Sequence, residues 1–378
     1  MKNLNDIINS EINRNGPISF KRFTELALYH KEFGYYSSGK TKIGKDGDFY
    51  TSPCVHSGFG EVICNFIVKS YKTFKLSGFN IIELGAGKGY LALDILNNLH
   101  DKYPKIYNDI NYKILEVNKS YIEEGKKLLK PHSTRIKYYN SLKSLKNKKI
   151  KGVVISNEFF DSFPFHRLKF SNNEYYEAFV VSKKNNFDDI YLPLKNRQLA
   201  TYIKDLDIKF EEGQEFEINL EARNWLDTIN FILEKGLVLT IDYGYLADEL
   251  YAPHRNRGTY KCFYKHNLNS KPYTNIGEQD ITADVNFSDL IEYGSQIGLS
   301  TLKYTTQGQF LIDWGILKIL EKYTDIKHEK ERLALKNLFM PNLMGNRFKV
   351  LIQSKKIKSE ELENFYENGE IKLNIKTL

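Results

Sequence analysis

Apolar positions recur at helical spacing near the start of the chain, at Ile7, Ile8 and Ile12 and then at Phe20, Phe23, Leu26 and Leu28. A break at Gly16-Pro17 divides them, which predicts two helices ahead of any core. Residues 34–57 are rich in Gly, Ser, Tyr and Lys and read as a long loop, while 58–74 resumes a helix. Short apolar runs then alternate with amphipathic segments: strand 80–84, helix 90–100, strand 112–117, helix 120–129, strand 152–156. That succession predicts a parallel sheet built from βαβ units. Residues 168–194 alternate like hairpin strands, and 220–234 reads as a helix feeding a buried strand at 237–242. After a polar stretch, 246–278, come a helix at 287–297, a strand at 301–306, a helical insertion and a last strand at 347–352. Two closing strands after the parallel set predict an antiparallel edge.

The pattern defines an α/β fold: a Rossmann-like sheet, mostly parallel with an antiparallel closing strand, carrying N-terminal helices and an inserted α+β cap. The expected segments are a helical extension with a lid loop at 1–75 and the first part of the core at 76–167. The inserted cap follows at 168–219, a core helix and strand at 220–245, and an inserted loop region at 246–286. The end of the core with its helical insertion spans 287–356, and a charged tail 357–378.

Composition adds little to this picture. With 378 residues and 41% hydrophobic content the chain can bury one large core and a smaller appended unit. The formal charge of +8 is scattered, which fits a solvated surface about as well as a nucleic-acid footprint. Cys54, Cys64 and Cys262 form no CxxC pair and adjoin no histidine cluster, so no metal site or disulfide framework is expected and the compartment reads as reducing. The N-terminus is polar, and no run approaches the roughly 20 apolar residues of a membrane span, so membrane insertion is not expected and a cytoplasmic location is. The wealth of Lys, Asn, Ile, Tyr and Phe fits an AT-rich, bacterial genome.

Candidate chemistry starts in ELGAGKGYLALDIL, where Gly85, Gly87 and Gly89 stand between a strand and a helix. Glycines there let the backbone approach a ligand. The spacing is GxGxG, not the GxGxxG of dinucleotide sites, and the strand ends on the acidic Glu83. A carboxylate at this turn repels a pyrophosphate and attracts the ammonium and sulfonium of S-adenosylmethionine. Glu116 ends the next strand, where an acidic side chain can accept both hydroxyls of an adenosine ribose.

A second loop, SNEFFDSFPFHRL, follows the strand at 152–156, at the strand end where open α/β sheets bind ligands. Asn157, Glu158 and Asp161 offer an amide and two carboxylates beside Phe159, Phe160 and Phe163. Carboxylates can hold a guanidinium bidentately, and aromatic faces attract cations. The plainer alternative is a helix cap with core phenylalanines. Asn157 ahead of aromatics is also faintly similar to the Asn-Pro-Pro-Tyr loop of amine-methylating enzymes of nucleic acids, but both prolines are missing.

In order along the chain, GDFYTSP (47–53), ELGAGKGYLALDIL, LEVN (115–118), NEFFDSFP (157–164), IDYGY (241–245), GEQDITADVNF (277–287), TQGQFL (306–311) and MGNRFKVL (344–351) resemble the MidA-like family of methyltransferases. Mitochondrial members of that family assist assembly of respiratory complex I by methylating an arginine. The resemblance implies a Rossmann-like methyltransferase core with a cap and S-adenosylmethionine as cofactor. It implies that Glu83, Gly85, Gly87, Gly89, Glu116 and Asn157 bind the cofactor and that Asn157, Glu158 and Asp161 are catalytic. Phe159, Phe160, Asp242, Tyr243, Asp48 and Thr51 would contact the substrate. The chain departs from the family at Cys54 and His56, where Glu and Ser are usual, and at Asp284, where His is usual and Asn286 follows. Both departures bear on the substrate. The expected function is methyl transfer to a protein side-chain nitrogen, arginine favoured, with a protein partner preferred over nucleic acid. The alternatives are a cofactor-binding assembly factor with little catalysis, or an RNA or small-molecule methyltransferase.

Overall fold

Each short apolar run of the central pattern becomes a strand of one mixed sheet. The computed structural model describes residues 3–37, 52–141, 144, 149–184, 186–265 and 267–367. The sheet runs through β1 (Phe79–Leu84), β2 (Asn111–Leu115), β3 (Ile136–Tyr139), β4 (Ile150–Asn157), β5 (Leu233–Tyr245), β6 (Ser300–Thr306) and β7 (Phe348–Lys355), in the order β6-β7-β5-β4-β1-β2-β3, and the two-residue strand Val285–Asn286 pairs parallel with the end of β5. Only β7 is antiparallel to its neighbours, and it lies between β5 and β6. The expected antiparallel closing strand is β7, the last of the sheet; the edge beyond it is β6, which pairs antiparallel with β7 and so runs in the direction of the parallel set. Burial explains the placement. β7 is buried along nearly its whole length, which demands neighbours on both sides, whereas β6 stays partly exposed as an edge strand can.

Two compact units result, one comprising Thr51–Phe159, Leu226–Tyr243 and Ile291–Leu378, and the other Met1–Tyr50, Phe160–Trp225 and Gly244–Leu290. In the first, the helices Gly58–Phe74 and Tyr90–Lys102 bury Phe59, Ile63, Phe66, Leu91 and Ile95 in one core with Ile81 and Leu239 of the sheet. The chain leaves β1 toward β2 and β3 on one side, while β4 and β5 pair on the other. This reversal makes a crevice beyond the carboxyl ends of β1 and β4, the place where open α/β sheets take ligands.

The other unit joins the helices Leu4–Asn15 and Phe20–Tyr29 to a five-stranded antiparallel sheet that includes the hairpin strands His166–Ser171, Glu174–Lys183 and Asn186–Pro193. Ile8, Phe20, Phe23, Phe165 and Val180 share its core. Arg167 is 6% exposed, held between the rings of Phe20 and Tyr260 at 4.7 Å from each centroid and paired with Asp189 at 2.8 Å. The stretch expected to be an inserted loop, 246–286, contains a small sheet of Lys261–Tyr264, Asn267–Asn269 and Asp280–Thr282. Tyr35 is buried in the core of this unit.

Candidate functional site

The glycine loop leaves β1 and is tied to the end of β2 by two hydrogen bonds. Gly85 N–H donates to the Leu115 carbonyl at 2.9 Å, and Gly87 N–H to Glu116 Oε2 at 2.9 Å. Glu116 Oε1 accepts from Asn118 N–H at 2.8 Å, and the Asn118 side chain in turn caps the helix Lys119–Leu128. Burial raises the Glu116 pKa, opposed by the backbone N–H groups of Asn118 and Gly87. Gly85 stands at φ +65, and a Cβ built on it would lie 2.7 Å from Phe159 Cδ2, so the loop and the ring require a glycine. Glu83 is 3% exposed and accepts the Tyr112 hydroxyl at 2.7 Å. Burial pushes its carboxyl up to about 7, with Glu116 adding to the rise and the Tyr112 hydroxyl opposing it.

β4 brings the second set to the same crevice. Ser156 is in register with Leu84, so Asn157 stands one residue beyond the end of β1. Asn157 Nδ2 donates to Glu158 Oε1 at 3.1 Å, while Asn157 Oδ1 is buried with no hydrogen-bond partner. Glu158 Oε1 also accepts from Ser52 N–H at 3.1 Å, and its own residue sits at φ +51, a left-handed conformation uncommon without glycine. Glu158 Oε1 thereby accepts the first N–H of the short helix Ser52–Val55, which lies far away in sequence.

Asp242, expected as a substrate contact, is fully buried. Its Oδ2 accepts from Phe159 N–H at 3.0 Å and its Oδ1 from Tyr243 N–H at 2.9 Å. It thereby holds one amide just past the end of β4 and one within β5. Through Phe159 it also positions the ring that lies on Gly85. Tyr243 packs on Phe348, ring centroids 3.9 Å apart. Two residues given no role by the sequence reading emerge here. Ser52 Oγ and Gln307 Oε1 are 3.2 Å apart, and the fully buried Gln307 also donates from Nε2 to the Leu338 carbonyl at 2.9 Å. Gln307 belongs to the TQGQFL segment, whose only signal in the sequence was the resemblance itself.

Phe160 and Asp161 belong to the other unit. There Thr282 Oγ1 donates to the Asp161 carbonyl at 3.0 Å and approaches Oδ2 at 3.4 Å, and Asn219 Nδ2 donates to the Phe160 carbonyl at 3.0 Å. Asp161, Glu217, Asp284 and Asp289 line a cavity in that unit together with Tyr202 and Tyr251. Arg223 pairs with Asp289 at 2.6 Å and Lys261 with Asp284 at 3.2 Å, so the unusual Asp284 takes part in an ion pair. Asp48 and Thr51 lie outside the described residues. Among the described residues no cluster of His, Cys, Asp or Glu is arranged to hold a metal, and no helix is long and apolar enough to cross a membrane.

Comparison with known proteins gives this geometry its context. The family described as "Putative S-adenosyl-L-methionine-dependent methyltransferase" matches residues 62–305, well over half of the chain. The mitochondrial protein arginine methyltransferase NDUFAF7 homolog of Drosophila melanogaster is 23% identical over 95% of this chain and 86% of its own. The NDUFAF7 protein of Rattus norvegicus is 27% identical over 89% and 81%. A Burkholderia thailandensis protein solved with S-adenosyl-homocysteine bound superposes with a TM-score of 0.85 at 27% identity, covering 97% of this chain and 95% of that one. The sheet and its loops are therefore those of an α/β methyltransferase fold, and the chain belongs to this family of S-adenosylmethionine-dependent methyltransferases.

Proposed function

We propose that this enzyme methylates a side-chain nitrogen of a protein, with arginine the favoured acceptor. The observation that carries the reading is the β4 loop: beside the glycine turn it presents a buried amide oxygen, Asn157 Oδ1, that lacks a donor. An N–H-bearing acceptor supplies one. The relatives named as protein arginine methyltransferases support the same substrate class.

The residues present fit the cofactor. The Gly85 turn has room only for backbone, Glu116 stands at the end of β2 where ribose hydroxyls can be accepted, and Glu83 places a carboxyl under the turn. When bound, S-adenosylmethionine supplies a methyl group already activated on a sulfonium. The protein's contribution is accordingly positioning and electrostatics. Glu116 fixes the turn through Gly87 N–H, Asp242 fixes Phe159 against Gly85, and the β4 loop orients the nitrogen to be methylated. Tritiated cofactor incubated with the enzyme and a cell lysate tests the class of acceptor. Label that survives nuclease and is released by protease supports the reading, whereas label removed by nuclease or found only in small molecules contradicts it.

A further inference from the structure

We propose that Asn157 Oδ1 accepts an N–H of the nitrogen being methylated, and that Glu158 orients this amide without binding the acceptor itself. The inference rests on the methyltransferase reading above. A buried polar atom without a partner is disfavoured by more than an ordinary hydrogen bond is worth, and in native proteins it calls for a water, an ion, a strain or a catalytic role to account for it; of the atoms in this state among the described residues, Asn157 Oδ1 is the one at the strand ends beside the glycine turn. Asn157 Oδ1 is such an atom, at the carboxyl end of β4 in the crevice beside β1.

Its direction is fixed by its neighbour. Nδ2 donates to Glu158 Oε1 at 3.1 Å, and a flipped amide would set oxygen against oxygen there. Oδ1 therefore keeps its acceptor role, and only a donor can complete it. A nitrogen nucleophile brings an N–H, and a carbon or thioether nucleophile brings none. Glu158 Oε1 already receives both the Asn157 amide and Ser52 N–H at 3.1 Å, and the residue is held at φ +51. Strained backbone of this kind persists where the surroundings over-determine it and is common at functional sites.

In the transfer itself the nitrogen's electron pair forms the N–CH3 bond. The C–S bond breaks with its pair left on sulfur, and the nitrogen's surplus proton passes to solvent water. The amide accepts a hydrogen bond throughout and takes no proton. By holding one N–H it fixes the direction of the nitrogen and places partial negative charge where positive charge grows.

The test uses four proteins: wild type, Asn157→Ala, Glu158→Gln and Glu158→Ala. Each is checked for fold by its thermal midpoint and for cofactor-side integrity by calorimetry with S-adenosyl-homocysteine. The expected result for Asn157→Ala is product affinity within about threefold of wild type and a methyl-transfer rate to lysate acceptors lower by on the order of a hundredfold, the scale of one preorganised electrostatic group. Glu158→Gln retains an oxygen that can accept both N–H groups, so its rate falls by less than about tenfold, while Glu158→Ala falls nearly as far as Asn157→Ala.

Product affinity that collapses in Asn157→Ala assigns the amide to the cofactor and overturns the proposal. A Glu158→Gln rate as low as that of Glu158→Ala shows that the charge itself meets the acceptor, and also overturns it. Label on a nitrogen supports the proposal whether the molecule is a protein or a nucleic acid, so the proposal can survive a failure of the protein reading. Label on oxygen or carbon defeats it. Should no acceptor be labelled, calorimetry of the S-adenosyl-homocysteine-loaded proteins with Nα-acetyl-arginine amide decides: binding by wild type at least about tenfold tighter than by Asn157→Ala supports the proposal, and equal binding overturns it.

Discussion

Replacing Gly85 by alanine probes whether the turn after β1 is shaped for a ligand by backbone alone. Two terms oppose the substitution. At φ +65 a residue with a Cβ is disfavoured by roughly 1–2 kcal/mol. The new Cβ would also stand 2.7 Å from Phe159 Cδ2, and that ring is itself buried, which limits its room to retreat. Overpacking of this kind costs roughly 1–3 kcal/mol, which brings the expected loss of stability to about 2–5 kcal/mol. Gly78→Ala is the control. It has a similar φ of +63 but nothing within 4 Å of the added carbon, so it carries only the backbone term of roughly 1–2 kcal/mol. Urea unfolding followed by circular dichroism measures both losses. Calorimetry with S-adenosyl-homocysteine measures the consequence: a displaced turn should weaken binding by on the order of tenfold, the equivalent of about 1.4 kcal/mol, while Gly78→Ala binds like wild type. Equal stability losses in the two variants, together with undiminished affinity in folded Gly85→Ala, would refute the reasoning and leave the turn a connection only.

The Glu83 carboxyl, pushed up to about 7 by burial, is raised above its unfolded value near 4.5, so its contribution to stability is complete below that value and is lost as pH rises to about 7. The thermal midpoint of cofactor-free protein should fall over that window, with Glu83 accounting for at most about 3 kcal/mol of the loss; Glu83→Gln should flatten the slope, leaving the parts due to Asp94, Glu116 and Glu217, and an unchanged slope would contradict the assignment. Affinity for the cationic cofactor should rise across the same window, because binding favours the ionised carboxylate. Glu116→Ala should weaken S-adenosyl-homocysteine binding by about 1–3 kcal/mol, and calorimetry showing no change would remove Glu116 from the site. Arg167→Met strands the Asp189 and Glu215 carboxylates, each about a quarter exposed, and should destabilise the protein by roughly 3 kcal/mol in urea unfolding; a loss under 1 kcal/mol would show that the cation contributes little.

The core strands were legible because their signal is local. A run buried on both faces, such as 80–84 or 152–156, reads as a strand wherever it occurs, and the structure extends each by only a few residues. β3 was not legible: its four residues, Ile136 to Tyr139, lack a buried run and pair along one side only. The small sheet within the polar stretch escaped for the same reason, since its strands are three or four residues long and one of them carries Asn267 and Asn269. The place of β7 between β5 and β6 depends on pairing across the whole fold and leaves no mark in the order of elements. At the site, the glycine spacing and the acidic strand ends announced themselves. The work of individual carboxylates did not. Asp242 meets Phe159 and Glu158 meets Ser52 across separations of 83 and 106 residues, so only the fold reveals that these carboxylates are engaged by backbone N–H groups.

The atom that receives the methyl group decides what this enzyme does. Acceptor protein labelled with tritiated S-adenosylmethionine, hydrolysed to amino acids and separated by chromatography, identifies that atom directly. Transfer to an arginine nitrogen gives label that resists mild base and co-migrates with methylated arginine. Label released by mild base as methanol, which marks a carboxyl ester, label on carbon, or no transfer by a folded enzyme that binds its cofactor would contradict it.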